Sequence, residues 1–192
     1  INATADWSGS SWTAGGALGT ARWAASGGGT ETAAWFSGGK TGSYPGTSTT
    51  ATENYNGSSW STGDALNTAR WMSGGVGPQT AAMVIGLRPS PGPGRGGNTE
   101  VYNGTAWAET ADLATARVQF KGAAGTSAGS FVGGGSVPPS TAATEEFTKS
   151  TNVITAAAWA SGGNLNTARR AAAGFGTQTA GAVAGGNTSA PG

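Results

Sequence analysis

Large apolar residues are sparse along this chain, and they recur at a fixed spacing. A Leu-x-Thr-Ala-Arg segment occurs four times, and its arginines stand 48, 47 and 52 residues apart. A Trp precedes each Arg by ten residues, and Gly-Gly or Gly-Leu follows sixteen and seventeen residues after it. The repeated residues are Trp12, Trp60, Trp107 and Trp159; Leu18, Leu66, Leu113 and Leu165; and Arg22, Arg70, Arg117 and Arg169. A frame without insertions predicts one rigid unit present four times, joined by loops of variable length.

The pattern within one repeat predicts four short antiparallel strands. Residues 52–55 and 58–60 flank Asn56-Gly57, and the same arrangement surrounds Asn103-Gly104. Asn-Gly between such segments is a strong hairpin signal. After each Arg, a run of small residues and a turn, Gly-x-x-Thr in three of the repeats, lead into a second hydrophobic strand. Two hairpins in about 48 residues match one blade of a propeller.

The four repeats together predict an all-β, four-bladed β-propeller in a single domain, residues 1–192. The repeat units are about 1–48, 49–97, 98–143 and 144–192. Each glycine pair is separated from the next aromatic residue by 12 to 15 residues, and joining the two chain ends would give another 12. We therefore expect the last blade to combine residues 169–186 with 3–13, so that the chain ends share one blade and close the ring.

The composition fits a narrow ring. Gly, Ala, Ser and Thr supply 118 of the 192 residues, yet a net charge of +1 and eight Trp are unlike a disordered chain. Four blades meet at steep angles around a narrow axis, so their innermost strands are expected to hold Gly, Ala and Ser. Residues 24–28 and 171–174 fit this expectation. The large side chains are expected to fill the wedges between blades.

The order of the elements resembles the kelch repeat. A small-residue strand, a hydrophobic strand, Gly-Gly, Glu-x-aromatic and a following Trp recur through all four units. The chain departs from kelch in a shorter aromatic-to-Trp spacing, in Leu87 at a glycine position and in its high Ala and Gly content. The compact repeat is also similar to repeats in virion and fibre proteins of tailed bacteriophages and in bacterial surface proteins. This resemblance implies a propeller located extracellularly or on a virion surface.

Several kinds of chemistry are excluded by composition. Without Cys or His the chain lacks thiolate nucleophiles, the commonest metal ligand and the commonest general base. Its nine acidic residues are scattered, so no metal site is predicted, and its ten basic residues form no stripe for nucleic acid. No apolar run reaches the roughly 18 residues of a membrane span. We expect no enzyme activity, cofactor, metal, nucleic-acid partner or membrane insertion.

The repeated arginines have two interpretations. They could surround one mouth of the axis and bind carboxylate or phosphate with their planar guanidinium groups. Alternatively, each could pair with a Glu two residues before the aromatic, at Glu53, Glu100 and Glu145, and repetition favours this structural role. Unit one has Ala5 at that position, so one arginine lacks a Glu, and Arg22 is kept as a candidate ligand-binding residue.

Residues that break the repeat symmetry are the other ligand-binding candidates. Trp23 and Trp71 follow the Arg in the first two units, and Tyr44, Arg88 and Arg95 lie in the loops after the glycine pairs. Flat aromatic side chains beside hydroxyl groups suit sugar rings. The alternative for Trp23 and Trp71 is packing between blades.

The sequence thus predicts a non-enzymatic structural and binding protein on an exterior surface. We expect a phage virion component, either a capsid decoration or a fibre, whose loops adhere to glycans or other surface molecules. Its partners would be other virion or cell-surface proteins and glycans. The alternative is a kelch-type interaction module that binds an acidic partner at an Arg-lined mouth.

Overall fold

The protein is built from antiparallel β-sheets. A computed structural model describes residues 2–88, 94–120, 122–136, 139–149, 158–178 and 180–188. The strands are β1 (Ala5–Trp7), β2 (Trp12–Ala14), β3 (Ser26–Thr30), β4 (Ala33–Ser37), β5 (Lys40–Thr41), β6 (Thr47–Ser48), β7 (Thr52–Tyr55), β8 (Trp60–Gly63), β9 (Gly74–Val76), β10 (Met83–Leu87), β11 (Gly96–Tyr102), β12 (Trp107–Thr110), β13 (Gly122–Gly125), β14 (Gly129–Gly133), β15 (Thr144–Thr148), β16 (Ala158–Ser161), β17 (Ala173–Thr177) and β18 (Ala180–Ala184). Within these residues, no helix is long and apolar enough to cross a membrane.

Three of the sheets have the four strands that the repeat predicts. The first sheet has the order β3-β4-β7-β8, the second β9-β10-β11-β12 and the third β13-β14-β15-β16. In each, the strand of small residues lies at one edge and the strand that carries the Trp lies at the other. The prediction of an all-β fold is therefore confirmed.

The chain ends form two separate hairpins. β1 pairs with β2 as the N-terminal hairpin, and β17 pairs with β18 as the C-terminal hairpin. Among the described strands no ladder joins β18 to β1, so the expected joining of 169–186 with 3–13 into one sheet is not seen.

The Asn-Gly hairpins have longer loops than the sequence suggested. Tyr55 pairs with Trp60, so β8 begins at the Trp rather than at Ser58. The side-chain oxygen of Asn56 accepts hydrogen bonds from the backbone N–H of Ser58 and Ser59, at 3.0 and 2.9 Å. This Asn turn takes up residues 56–59 and leaves the strand to start after it.

The third repeat contains one extra residue, so the prediction of a frame without insertions is wrong there. In the first two repeats the Arg side chain donates to a carbonyl sixteen residues later, whereas Arg117 donates to Gly134, seventeen residues later. The glycine pair with positive φ is accordingly Gly134–Gly135, at +70° and +112°. Gly122 pairs with Gly133, which locates the extra residue between Gln119 and Gly122.

Large side chains pack between neighbouring sheets. One apolar cluster joins the first and second sheets and contains Trp35, Leu66, Ala82, Val84 and Trp107. Another joins the second and third sheets and contains Val76, Met83, Ile85, Leu113, Phe120, Ala123, Val132 and Phe147. The innermost strands approach closely, because a Cβ at Gly75 would lie 2.8 Å from the carbonyl oxygen of Gly27. Small residues are therefore required on those strands, as expected.

One residue from each repeat lies at a common centre. These axial residues, each two positions after the repeated Arg, are Ala24, Met72, Gln119 and Ala171. All four have φ between +52° and +57°, a conformation that is costly for residues other than Gly. Backbone hydrogen bonds run from Met72 to Ala24, from Gln119 to Met72 and from Ala171 to Gln119. The four residues line one cavity of about 200 Å³.

Candidate functional site

Three of the four repeated arginines form buried ion pairs. Arg22 pairs with Glu53, Arg70 with Glu100 and Arg117 with Glu145, and every one of these side chains is at most 7% exposed. Each Arg pairs with the Glu on the third strand of its own sheet, about 30 residues downstream. Arg22 therefore belongs to the scaffold and not to an open binding mouth, which corrects its place among the candidate ligand-binding residues.

The pair formed by Arg70 and Glu100 shows how completely these groups are satisfied. Arg70 also donates to the carbonyl oxygens of Gly86 and Asn98, at 3.3 and 2.9 Å. Burial lowers the pKa of Arg70, while the charge and hydrogen bond of Glu100 act in the opposite direction. Burial likewise lowers the pKa of Arg117. Every guanidinium nitrogen of Arg70 and Arg117 donates a hydrogen bond, whereas Nε of Arg22 has no partner among the described residues.

The structure brings together four of the predicted binding residues, Arg88 and three aromatic residues. Trp23, Tyr44 and Trp71 form an aromatic cluster in which Trp23 lies 5.5 Å from Trp71 edge-on and 6.3 Å from Tyr44, centroid to centroid. Tyr44 is 86% exposed and Trp23 is half-buried, whereas Trp71 is buried. Trp23 and Tyr44 thus form an accessible aromatic surface, and Trp71 supports it from below.

Two cations lie against this aromatic cluster. The Nζ of Lys40 is 4.3 Å from the ring centroid of Trp71, and the guanidinium carbon of Arg88 is 5.0 Å from the same ring. Backbone bridges from Trp23 to Lys40 and from Trp71 to Arg88 bring them there. Cation–π attraction of this kind stabilises the cluster and gives it positive charge.

Sequence reasoning missed Lys40. Its signal was its position directly after the glycine pair, where Arg88 stands in the second repeat. Lys40 Nζ donates to the carbonyl oxygens of Pro45 and Gly46, at 2.6 and 3.3 Å, and so holds the loop that carries Tyr44.

Arg95 is exposed just before β11, and no described contact joins it to the aromatic cluster. The loops 38–51 and 86–98 nevertheless contain Lys40, Arg88 and Arg95 and no Asp or Glu. Of these, Lys40 and Arg88 are the two that lie against the cluster and give it positive charge.

Three of the repeated tryptophans, those whose side chains are described, each face an aromatic partner across a hairpin. Ring centroids are 5.4 Å apart for Trp12 and Trp7, 5.0 Å for Trp60 and Tyr55, and 5.2 Å for Trp107 and Tyr102. Exposure falls from 69% at Trp12 to 7% at Trp107, and the side chain of Trp159 lies outside the described residues. The repeated Leu18, Leu66 and Leu113 are buried, and Leu165 is half-buried.

The N-terminal hairpin docks on the first sheet through a titratable contact. The hydroxyl of Tyr55 donates to a carboxylate oxygen of Asp6 on β1, at 2.8 Å. That hydrogen bond, followed by burial, raises the pKa of Tyr55 above its usual 10.0. The second repeat has a similar contact, from Tyr102 to Asp64 at 2.7 Å.

Alkaline pH is expected to release this hairpin. Because the neutral hydroxyl of Tyr55 is favoured in the folded protein, its contribution to stability is complete below the unfolded pKa of about 10. That contribution is lost as the pH rises through the raised folded pKa, when tyrosinate repels Asp6. A titration followed by tyrosinate absorbance and by Trp fluorescence should detect both events. Asp6→Ala should move the pKa of Tyr55 towards 10, and exposed Asp112→Ala should not.

Comparison with known proteins adds no family assignment. No protein-family model matches the chain, and no curated protein matches its sequence.

Proposed function

We propose that this chain is a four-bladed propeller of kelch-like repeats that acts as a non-enzymatic, glycan-binding module. The shared cavity of the four axial residues supports a four-fold ring, since one position of every repeat reaches it. In the proposed ring, the N-terminal and C-terminal hairpins are the two halves of the fourth blade.

The two hairpins already make contacts that suit this position. β17 packs against β13 and β14 of the third sheet, and Asp6 on β1 accepts a hydrogen bond from Tyr55 of the first sheet. The backbone N–H of the repeated Leu donates to a carbonyl oxygen in the same way in all four repeats. The pairs are Leu18 to Asn2, Leu66 to Thr50, Leu113 to Gly97 and Leu165 to Ala142.

Exposed apolar side chains give a reason for closure. Among the described residues, the large exposed apolar side chains are Tyr44, Trp7, Trp12 and Phe175. Apart from Tyr44, all of them lie on the two terminal hairpins. Pairing β18 with β1 would cover part of this area and would remove two open sheet edges.

The glycan-binding role rests on the aromatic cluster. Trp23 and Tyr44 present accessible rings at a place where the repeats differ from one another, and Lys40 holds the Tyr44 loop in position. Thr41, Ser43 and Thr47 in the same loop offer hydroxyl groups for orientation. Rings for stacking together with nearby hydrogen-bonding groups are the usual means of binding a sugar.

A glycan array can test this role with matched variants. We expect the wild-type chain to bind a subset of glycans, and Trp23→Ala or Tyr44→Ala to weaken binding about tenfold or more through lost stacking. Trp12→Ala removes an exposed Trp from the N-terminal hairpin and serves as the control. An array with no bound glycan, or an equal loss in Trp12→Ala, would contradict the proposal.

The proposed setting is the outside of a particle or cell, as a phage capsid decoration or fibre among other virion or cell-surface proteins. It follows from the resemblance of the repeat to those of phage and bacterial surface proteins. Labelling of intact particles by antibodies to this chain is the test. The alternative of an acidic partner at an Arg mouth has less support, because Arg22, Arg70 and Arg117 are already paired.

A further inference from the structure

The glutamates of the second and third repeats are held by the same set of donors, and the glutamate of the first repeat is held by part of that set. We call this set the carboxylate cradle, and it consists of the repeated Arg guanidinium and the backbone N–H groups of the two residues after the repeated Leu. Glu100 accepts from Arg70, from Asn67 N at 2.7 Å and from Thr68 N at 3.1 Å. Asn67 Nδ2 also donates to Glu100, at 3.0 Å, so four donors converge on one carboxylate, which is a strong and specific arrangement.

The third repeat has the same arrangement, and the first repeat has the Arg and the first of the two backbone donors. Glu145 accepts from Arg117, from Ala114 N at 2.7 Å and from Thr115 N at 3.3 Å. In the first repeat, Glu53 accepts from Arg22 and from Gly19 N, at 2.6 Å for the latter. The cradle is therefore a property of the repeat and not of one location.

The fourth repeat has the parts of the cradle without the glutamate. Its arginine is Arg169, and the residues after its Leu are Asn166 and Thr167. The local frame is the same, because Leu165 N donates to Ala142 O at 2.6 Å and Arg169 Nη1 donates to Gly185 O. Arg22 and Arg70 make the same bond to Gly38 and Gly86.

In the proposed closed ring, on which this step rests, the strand that would supply the glutamate is β1, and it carries alanine instead. Leu18 N donates to Asn2 O as Leu66 N donates to Thr50 O, which aligns Ala5 with Glu53. All nine Asp and Glu residues of the chain lie in its described part, and Arg169 forms an ion pair with none of them. Arg169 is also only half-buried, whereas the other three repeated arginines are buried.

We propose that the cradle at Arg169, Asn166 and Thr167 binds a carboxylate from outside the chain. Alanine lacks the CH₂–COO⁻ group that a glutamate would carry at position 5, and acetate has the same size and charge as that group. The planar guanidinium and two backbone N–H groups suit the two oxygens of a carboxylate better than a spherical anion. The ligand class is a carboxylate, borne by a small acid, an acidic side chain or a uronic acid. This site does not depend on the aromatic cluster.

Acetate titration of the whole chain tests the proposal. We expect acetate to raise the melting temperature in a saturable way, with half-saturation in the millimolar range typical of so small a ligand. Sodium chloride at equal ionic strength should not reproduce the effect. Ala5→Glu should raise the melting temperature without acetate and abolish the response to it. Arg169→Gln should abolish the response to acetate without raising the melting temperature.

Further arms of the experiment separate the possible outcomes. Glu53→Ala opens the same cradle in the first repeat, so acetate should partly restore its lost stability. Glucuronate in place of acetate shows whether the site also accepts a sugar carboxylate. Tyr44→Ala should keep the acetate response, so failure of the glycan role is distinguishable from failure here. A wild-type chain without a saturable response, or a response that persists in Ala5→Glu or Arg169→Gln, would overturn the proposal.

Discussion

Glu100→Ala should lower the free energy of unfolding by about 3–5 kcal/mol, the typical cost of leaving one partner of a buried ion pair alone. Both Arg70 and Glu100 have fully buried side chains. The substitution would leave the Arg70 guanidinium in the interior with no opposing charge. It would also remove the acceptor for the N–H groups of Asn67 and Thr68. Unsatisfied buried donors add to the cost, because a neutral water molecule in the vacated space is a weaker acceptor than the carboxylate.

Urea unfolding of the two chains measures this difference directly. Glu109→Ala is the matched control, because Glu109 pairs across the second sheet with Glu100 but is exposed. It should change stability by no more than about 0.5 kcal/mol. The loss in Glu100→Ala should persist at high salt, since a buried pair is weakly screened. If Glu100→Ala lowers the free energy of unfolding no more than Glu109→Ala does, the ion pair of Arg70 and Glu100 does not stabilise the fold.

Trp107→Ala should cost about 3–5 kcal/mol, because it opens a cavity between the first and second sheets. Trp107 is 7% exposed, and its ring lies 5.8 Å from Trp35 and 5.2 Å from Tyr102.

The repeat itself provides the control for this substitution. Trp12 occupies the same position in the repeat but is 69% exposed, and Trp60 is half-buried. The loss of stability should therefore increase from Trp12→Ala to Trp60→Ala to Trp107→Ala, with the first below about 1 kcal/mol. Denaturant melts of the three variants give the order. Equal losses would mean that burial between sheets does not explain why the Trp is repeated.

The sequence alone was enough to predict the class of fold and its internal spacing. Trp, Leu and Arg at constant intervals, together with Asn-Gly turns, indicate a repeated four-stranded unit, and three such sheets are present. These features are local, because turn chemistry and alternation act within a few residues. The small inner strands could be predicted for the same reason, since a residue without a large side chain can approach any neighbour.

Contacts between distant segments were decided by the tertiary structure. Because Ala5 stands at the glutamate position of unit one, the sequence suggested Arg22 as the arginine without a Glu. The strand order instead pairs Arg22 with Glu53 and leaves Arg169 as the arginine without a glutamate. The extra residue before Gly122 could not be detected from the sequence. Residues 133–135 are all Gly, so the glycine pair of the third repeat can be aligned at either of two positions.

The candidate site was likewise predicted only in part from the sequence. Composition and broken symmetry were enough to single out Trp23, Tyr44, Trp71 and Arg88 as unusual. Only the fold shows that Trp71 is buried beneath the others and that Lys40 joins them. Local sequence determines which strands and turns can form, whereas side-chain neighbours depend on which edges pair and how sheets pack. That packing depends on the whole chain and cannot be predicted from any single repeat.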